Sequence, residues 1–283
     1  MKQTLGYLLV FFAKILVLLG WGIVYGAILV YIAAFFSTQL RELVEQNFLM
    51  SLMLLFCGFV LAIGGPQLVY LGRRLQIPSV EQLLKKDKRA PILLLRPFYH
   101  DREQDAYSEK KFTGGWFSSL NESLSIEYNL VKALNSRGPV VAIGKPGEKL
   151  PPLGAARMYT TDDQWQQKVL EFLDKAQLIV VILSFTPSVA WEIEQVTADR
   201  LLPKTVFIIP PALTGGDWPM GWQQFRQRFP FLEENYRELM AFRIAAENDV
   251  RYLKRSGSRD NWSFEIHFLD KVLPKPRGIY INS

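Results

Sequence analysis

The residues of this chain that could do chemistry follow three short apolar runs in its second half. The runs cover residues 91–95, 139–143 and 178–183. The candidates after them are Arg96, Phe98, His100 and Asp101, then Gly144, Lys145 and Arg157, and finally Ser184, Trp191 and Glu192. If the runs are neighbouring parallel strands, these side chains meet at one edge, because open α/β sheets bind ligands at the carboxyl ends of their strands. We therefore predict a polar and aromatic ligand site at this edge.

Glu192 is the acidic candidate at the start of a predicted helix. On a helical wheel, the stripe of Val189, Ile193 and Val196 leaves Glu192 nearer the buried face and Glu194 further toward solvent. A carboxylate in this position could act on a ligand. It could equally serve only to stabilise the first turns of the helix through the macrodipole. The sequence leaves both interpretations open.

Several standard kinds of site have no sequence support. The chain contains no Walker A motif, no GxGxxG and no CxxC, which disfavours a P-loop, a classical dinucleotide fold and a zinc site. Ser184 lacks the G-x-S-x-G turn of an α/β hydrolase, so a catalytic serine is not expected. The two imidazoles are His100 and His267; His100 beside Asp101 could do acid–base work, but a loop histidine near a carboxylate is more often incidental. We predict no metal and no bound cofactor.

The elements that must position these residues alternate between strand and helix. Four apolar runs, the fourth at 205–209, are continuous rather than alternating, which is typical of strands buried on both faces. Amphipathic spacing predicts helices over 118–135, from Thr161 and from Ser188. Right-handed crossovers between them predict a flavodoxin-like α/β sheet flanked by helices. We expect a loop over 144–157, an edge pair near 241–245 and 250–254, a helix over 222–236 broken by Pro230, and a closing helix over 261–272.

Two long apolar stretches precede this domain, over residues 15–36 and 48–71. Each is about as long as the 20 or so helical residues that a bilayer core requires. A secretory signal is the alternative for the first, but the apolar sequence continues well beyond the length of a signal core. We predict a transmembrane hairpin over 1–72, joined by a loop. Gly22 and Gly26 give a GxxxG spacing that would let two helices approach closely, although ordinary membrane glycines are an equal explanation.

The basic residues predict the orientation of this hairpin. Six basic residues follow the second stretch: Arg73, Arg74, Lys85, Lys86, Lys88 and Arg89. Because basic residues favour the cytoplasmic side, we predict an inner-membrane protein with both termini in the cytoplasm. The net charge of +6 is then explained by lipid headgroups rather than by a specific nucleic acid. We predict that residues 73–90 form a basic tether, with Leu83 and Leu84 toward the bilayer, before a cytoplasmic domain over 91–283. The single cysteine, Cys57, excludes an intramolecular disulfide.

The region over about 91–209 resembles bacterial Toll/interleukin-1 receptor (TIR) domains. The resemblance rests on a short strand followed by polar residues, a second strand entering a Gly- and Pro-rich loop, and the run Ser-x-x-Trp-Glu that opens the third helix. The loop over 144–157 and the region after Pro210 depart from the family pattern. The resemblance implies a TIR-like fold, and it matches Glu192 to the glutamate with which enzymatic members split NAD at the nicotinamide–ribose bond.

In that reaction NAD is a substrate, and a carboxylate can stabilise the positive charge that develops on the ribose. The resemblance then gives roles to the other candidates: Arg96, Lys145 and Arg157 toward the pyrophosphate, and Phe98 or Trp191 toward a ring. Each basic or aromatic residue could instead be structural. The alternatives at the level of the protein are a module that binds a nucleotide or a protein without turnover, and an assembly scaffold in which the chain forms homo-oligomers on the membrane.

Overall fold

The computed structural model describes residues 2–96, 126–144, 153–161, 164–185, 187–197, 201–210, 218–246, 249–255 and 270–274. The chain divides into two compact units. Described residues up to Ile77 belong to the first unit, and those from Pro78 onward belong to the second.

The described part of the first unit consists of three helices, α1 (Lys2–Phe36), α2 (Thr38–Gln46) and α3 (Phe48–Gln76). Helices α1 and α3 are long and apolar enough to cross a membrane, and they contain the two predicted spans. The predicted loop between them is wrong, because α2 fills it. Its first turn is capped by Ser37, whose hydroxyl accepts a hydrogen bond from the Leu40 N–H.

Small residues at intervals of seven line the contact between α1 and α3. On α1 they are Gly6, Ala13 and Gly20, and on α3 they are Gly58, Gly65 and Gly72. At Gly20 a Cβ atom would lie 2.5 Å from the Ala62 nitrogen and 2.8 Å from the Gly58 carbonyl oxygen. A repeat of seven keeps one face of a helix against its neighbour, and small residues there allow the backbones to touch. The hairpin is therefore closely packed.

The predicted GxxxG pair takes no part in this contact. Among the described residues, no heavy atom outside the local chain lies within 4 Å of the Cβ position at Gly22 or Gly26, and both residues are exposed. The glycines that do pack the hairpin are those of the seven-residue pattern.

The second unit is built on a seven-stranded sheet in the order β3-β2-β1-β4-β5-β6-β7. The strands are β1 (Ile92–Leu95), β2 (Val140–Gly144), β3 (Ala156–Tyr159), β4 (Leu178–Ile182), β5 (Thr205–Ile208), β6 (Leu239–Ala246) and β7 (Asp249–Lys254). The first five are parallel, and β6 and β7 join as an antiparallel pair. The four predicted central strands and the predicted edge pair are confirmed.

Helices cover both faces of the sheet. They are α4 (Val80–Lys86), α5 (Ile126–Leu134), α6 (Trp165–Lys175), α7 (Pro187–Val196) and α8 (Trp218–Arg228). The sheet therefore separates two hydrophobic cores. Of the side chains on β1, Leu93 and Leu95 pack with α6, α7 and α8, whereas Ile92 and Leu94 pack with α5. The continuous apolar runs are thus buried on both faces, as expected.

Strand β3 corrects the predicted loop over 144–157, because the last residues of that stretch pair with β2. The flavodoxin-like strand order is 2-1-3-4-5. The observed sheet departs from it by the presence of β3 beyond β2 and by the antiparallel strands β6 and β7 beyond β5.

Helix α8 also begins earlier than predicted, at Trp218, and ends before Pro230. Of the predicted helix over 118–135, residues 118–125 lie outside the described residues. Most of the predicted closing helix over 261–272 lies outside them too.

The predicted tether is largely part of the second unit. Ser79 begins α4 with a capping box, and Val80 is 2% exposed in the core. Leu83 and Leu84 pack against the same core, so their predicted orientation toward lipid is wrong. Arg89 donates hydrogen bonds to the carbonyl oxygens of Ser136 at 2.6 Å and Asn135 at 3.1 Å, just beyond the end of α5.

Strand β7 forms one edge of the sheet among the strands that the structure describes, and it carries charged side chains. Asp249, Arg251 and Lys254 are exposed along it. Its pairing with β6 is interrupted by register shifts between Leu239 and Ala241 and between Ile244 and Ala246. Charges and irregular pairing are devices that protect an edge strand from adding a further strand.

Candidate functional site

Strands β1 and β4 lie side by side at the point where the chain changes direction across the sheet. From β1 the chain proceeds to β2 and β3 on one side, and then returns to β4 on the other side. Such a switch point opens a crevice at the carboxyl ends of the strands, where ligands of α/β proteins bind. Arg96 follows β1 and Ser184 follows the end of β4, with exposed fractions of 7% and 5%. Two of the predicted site residues are thus placed at this switch point.

Glu192 lies on α7, the helix that follows β4, and is 2% exposed. Glu194 is exposed, so the helical wheel identified the buried carboxyl correctly. The Glu192 Oε2 atom is buried and has no hydrogen-bond partner within the part of the chain that the structure describes. A buried carboxyl without a partner is costly, and such groups cluster at functional sites.

Burial is the main influence on the protonation of Glu192. It disfavours the charged form, and the positive charge of Arg96 offsets only part of that effect. The pKa of Glu192 is raised to about 8 as a result. At neutral pH the carboxyl is mostly protonated, and it can donate a hydrogen bond as well as accept one.

A second buried acid, Glu127, lies on α5 and holds two arginines. Its Oε2 atom is 3.2 Å from Arg96 Nε and 2.8 Å from Arg157 Nη2. Its Oε1 atom accepts hydrogen bonds from Arg157 Nη2 at 3.0 Å and from the Ala155 N–H at 3.0 Å. Burial raises the pKa of Glu127, but the two cations and the hydrogen bonds outweigh burial and leave it below the ordinary value. Glu127 is therefore an ionised, buried anchor.

The backbone closes tightly over Glu127 at Gly154. This glycine has φ +146°, and a Cβ atom there would lie 2.5 Å from Glu127 Oε1. Only glycine adopts such a backbone conformation without strain. The segment before β3 is thus shaped to cover the carboxylate.

Glu127 is not among the site residues predicted from the sequence, although its spacing from apolar residues on the same helix is a signal. It lies three and seven residues before Leu130 and Leu134, which are buried on the same helix face. An acid that interrupts an apolar stripe must be paired, and Arg157 is its partner.

Arg157 was expected at the end of a loop, facing a ligand. It lies instead within β3, and its side chain is 0% exposed against Glu127. The structure therefore gives Arg157 a place in the anchoring of Glu127 rather than at a ligand.

The other predicted site residues divide into three groups. Gly144 ends β2, where a Cβ atom would lie 2.6 Å from a carbon of the Tyr159 ring. The ring of Trp191 packs edge-on against Trp165 with centroids 4.9 Å apart, so part of its surface is committed to α6. Phe98, Asp101 and Lys145 lie outside the described residues, as do both histidines.

At the switch point Arg96 is therefore near enough for its charge to act on Glu192, it lies 3.2 Å from Glu127, and Ser184 follows the neighbouring strand. The described residues contain no group of three His, Cys, Asp or Glu side chains that could hold a metal ion. A protonated buried carboxyl can donate a proton or a hydrogen bond, and it can stabilise positive charge once it ionises. Comparisons with protein-family models, with curated proteins and with solved structures give no match.

Proposed function

We propose that this chain is a membrane-anchored, TIR-like protein that binds NAD at the switch point and cleaves its nicotinamide–ribose bond when copies of the chain assemble. The proposal is supported by the burial of Glu192, the acid that the helical wheel singles out. Its side chain is 2% exposed, and its Oε2 atom has no hydrogen-bond partner among the described residues. Pocket carboxyls with perturbed pKa values are typical of catalytic sites.

The chemistry requires no cofactor. The bond between ribose C1′ and the pyridinium nitrogen breaks, and its electron pair neutralises the nicotinamide ring. Water then adds to C1′ and loses a proton, which yields ADP-ribose. Glu192 would stabilise the positive charge on the ribose, and the approach of that charge favours its ionised form. Arg96 would contribute positive charge toward the pyrophosphate.

The test uses the full chain in lipid vesicles at high surface density. We expect NAD to be consumed with release of nicotinamide, and Glu192→Gln to reduce the rate at least about 100-fold. Glu194→Gln is the matched control, because it changes an exposed acid two residues away on the same helix. Full activity in Glu192→Gln, or no turnover by the wild-type chain at any density, would remove the catalytic proposal.

A second function is favoured by the protonation of Glu192. A carboxyl with a pKa of about 8 is a hydrogen-bond donor at neutral pH, which suits holding a ribose hydroxyl or another acceptor without bond cleavage. In this alternative the chain is a nucleotide-binding signalling module. Calorimetry with NAD and with ADP-ribose would then show binding of both, and the NAD would be recovered intact.

We propose further that α1 and α3 cross the inner membrane and leave both termini in the cytoplasm. The basic residues after α3 and the small-residue packing of the hairpin support this topology. In a Cys57→Ser background, a cysteine at Glu42 should react with an impermeant maleimide from the periplasmic side. A cysteine at Lys88 should react only after the membrane is opened.

A further inference from the structure

We propose that Glu127 is a positioning residue for Glu192, because it holds the Arg96 guanidinium and so limits the attraction of that guanidinium for the Glu192 carboxyl. This inference rests on the proposed role of Glu192 at the ligand site. It concerns a residue that would touch no ligand itself.

Arg96 is shared between two acids on opposite faces of the sheet. Glu127 belongs to α5 on one face, and Glu192 belongs to α7 on the other. Arg96 follows the central strand β1, whose end lies between them. Its Nε atom is 3.2 Å from Glu127 Oε2, and its charge also acts on Glu192.

Burial makes this sharing effective. The exposed fractions of Arg96, Glu127 and Glu192 are 7%, 7% and 2%, so water screens their interactions poorly. Glu127 is itself fixed by Arg157 and by the Ala155 N–H, which leaves it little freedom to move toward another partner. The guanidinium is thereby held on the Glu127 side, and Glu192 receives only part of its field.

The charged groups around Glu192 within the described residues are few. Arg96 is the group whose charge acts on it, Glu127 and Arg157 stand behind Arg96, and Glu194 points to solvent on the same helix. Loss of the Glu127 charge would release Arg96 toward Glu192 and also remove a nearby negative charge. Both changes favour the ionised form of Glu192.

The experiment measures the titration of Glu192 directly, in the full chain in vesicles and without NAD. Infrared difference spectra over a pH series follow the carbonyl band of the protonated carboxyl, which is assigned to Glu192 by its loss in Glu192→Gln. We expect Glu127→Gln to lower the pKa of Glu192 by about 1 unit or more, and Arg96→Gln to raise it above the wild-type value. Glu194→Gln, the matched control, should leave the titration unchanged.

The paired variants keep the proposal falsifiable. Glu127→Gln leaves two buried arginines without their carboxylate, so a failure to fold is an outcome that the circular dichroism spectrum would reveal. If Glu127→Gln does not fold, the test depends on Arg96→Gln, which retains the contact between Glu127 and Arg157. Two results would overturn the positioning role. One is a pKa of Glu192 that is unchanged or lowered in Arg96→Gln, and the other is a pKa that is unchanged or raised in folded Glu127→Gln.

The outcome is separable from the catalytic proposal. If the titration shifts as expected but NAD is never cleaved, Glu127 still sets the charge of Glu192 and only the reaction is wrong. If NAD is cleaved but neither variant moves the titration, only the positioning role is lost.

Discussion

Arg157 Nη2 donates hydrogen bonds to both carboxylate oxygens of Glu127, at 2.8 Å and 3.0 Å, and neither side chain is more than 8% exposed. The contact joins β3 to α5 across 30 residues of chain. Since Arg96 approaches the same carboxylate, one acid fixes the ends of two strands and one helix.

The first prediction concerns the removal of this acid. Glu127→Ala should lower the free energy of unfolding by about 3–5 kcal/mol, because it leaves buried guanidinium groups without a counter-charge. Urea unfolding followed by tryptophan fluorescence measures the loss. Glu171→Ala is the control, since Glu171 also bridges two cations, Lys168 and Lys175, but at the surface, where pairs contribute about 1 kcal/mol or less. Equal losses in the two variants would contradict a special role for the buried network.

A second prediction follows from the raised pKa of Glu192. The native state binds a proton there that the unfolded chain releases near its ordinary pKa of 4.5. Stability should therefore fall as pH rises from about 4.5 to about 8, at up to about 1.4 kcal/mol per pH unit. Glu192→Gln, which cannot ionise, should lose this contribution and be more stable than the wild type near pH 8. Parallel stability profiles for the two proteins would show that Glu192 titrates normally.

The pH dependence of function distinguishes the two proposed functions. If Glu192 acts as a carboxylate in NAD cleavage, the rate at low NAD should rise with pH and level off above the pKa of about 8 in the free protein. If Glu192 is a hydrogen-bond donor in a binding module, affinity for ADP-ribose should instead decline above that pH. If neither the NAD cleavage rate nor the affinity for ADP-ribose changes between pH 6 and 9, both roles of Glu192 are excluded.

The packing of the hairpin yields a prediction with adjacent controls. Gly65→Leu should disrupt the α1–α3 contact, because its side chain would collide with Val17 and with the Ala13 carbonyl oxygen. Gly64→Leu should be tolerated, since nothing lies within 4 Å of its Cβ position. In a Cys57→Ser background, energy transfer between dyes on cysteines that replace the exposed residues Lys2 and Leu71 would report whether the hairpin still forms. Loss of energy transfer in both variants would mean that side-chain volume alone, rather than its position, disrupts the helices.

Much of the fold follows from local patterns in the sequence. The central strands are continuous apolar runs, and the buried position of Glu192 follows from the spacing of Val189 and Ile193. Strand β3 was not predictable in the same way, because Ala156–Tyr159 is short and places an arginine in the interior. The burial of Arg157 depends on Glu127, which is 30 residues away in the sequence. The helical spacing of Glu127 with Leu130 and Leu134 shows that this acid needs a partner, but pairing over such a distance leaves no local signal of which residue the partner is.

The charged edge strand β7 bears on how this protein tolerates crowding. If the chain is anchored as we propose, diffusion confined to a bilayer concentrates its domains, and an exposed sheet edge is then a template for pairing with another chain. Asp249, Arg251 and Lys254 give the β7 edge charges of both signs, on a ribbon whose pairing with β6 is irregular. A continuous intermolecular sheet through this edge is therefore disfavoured.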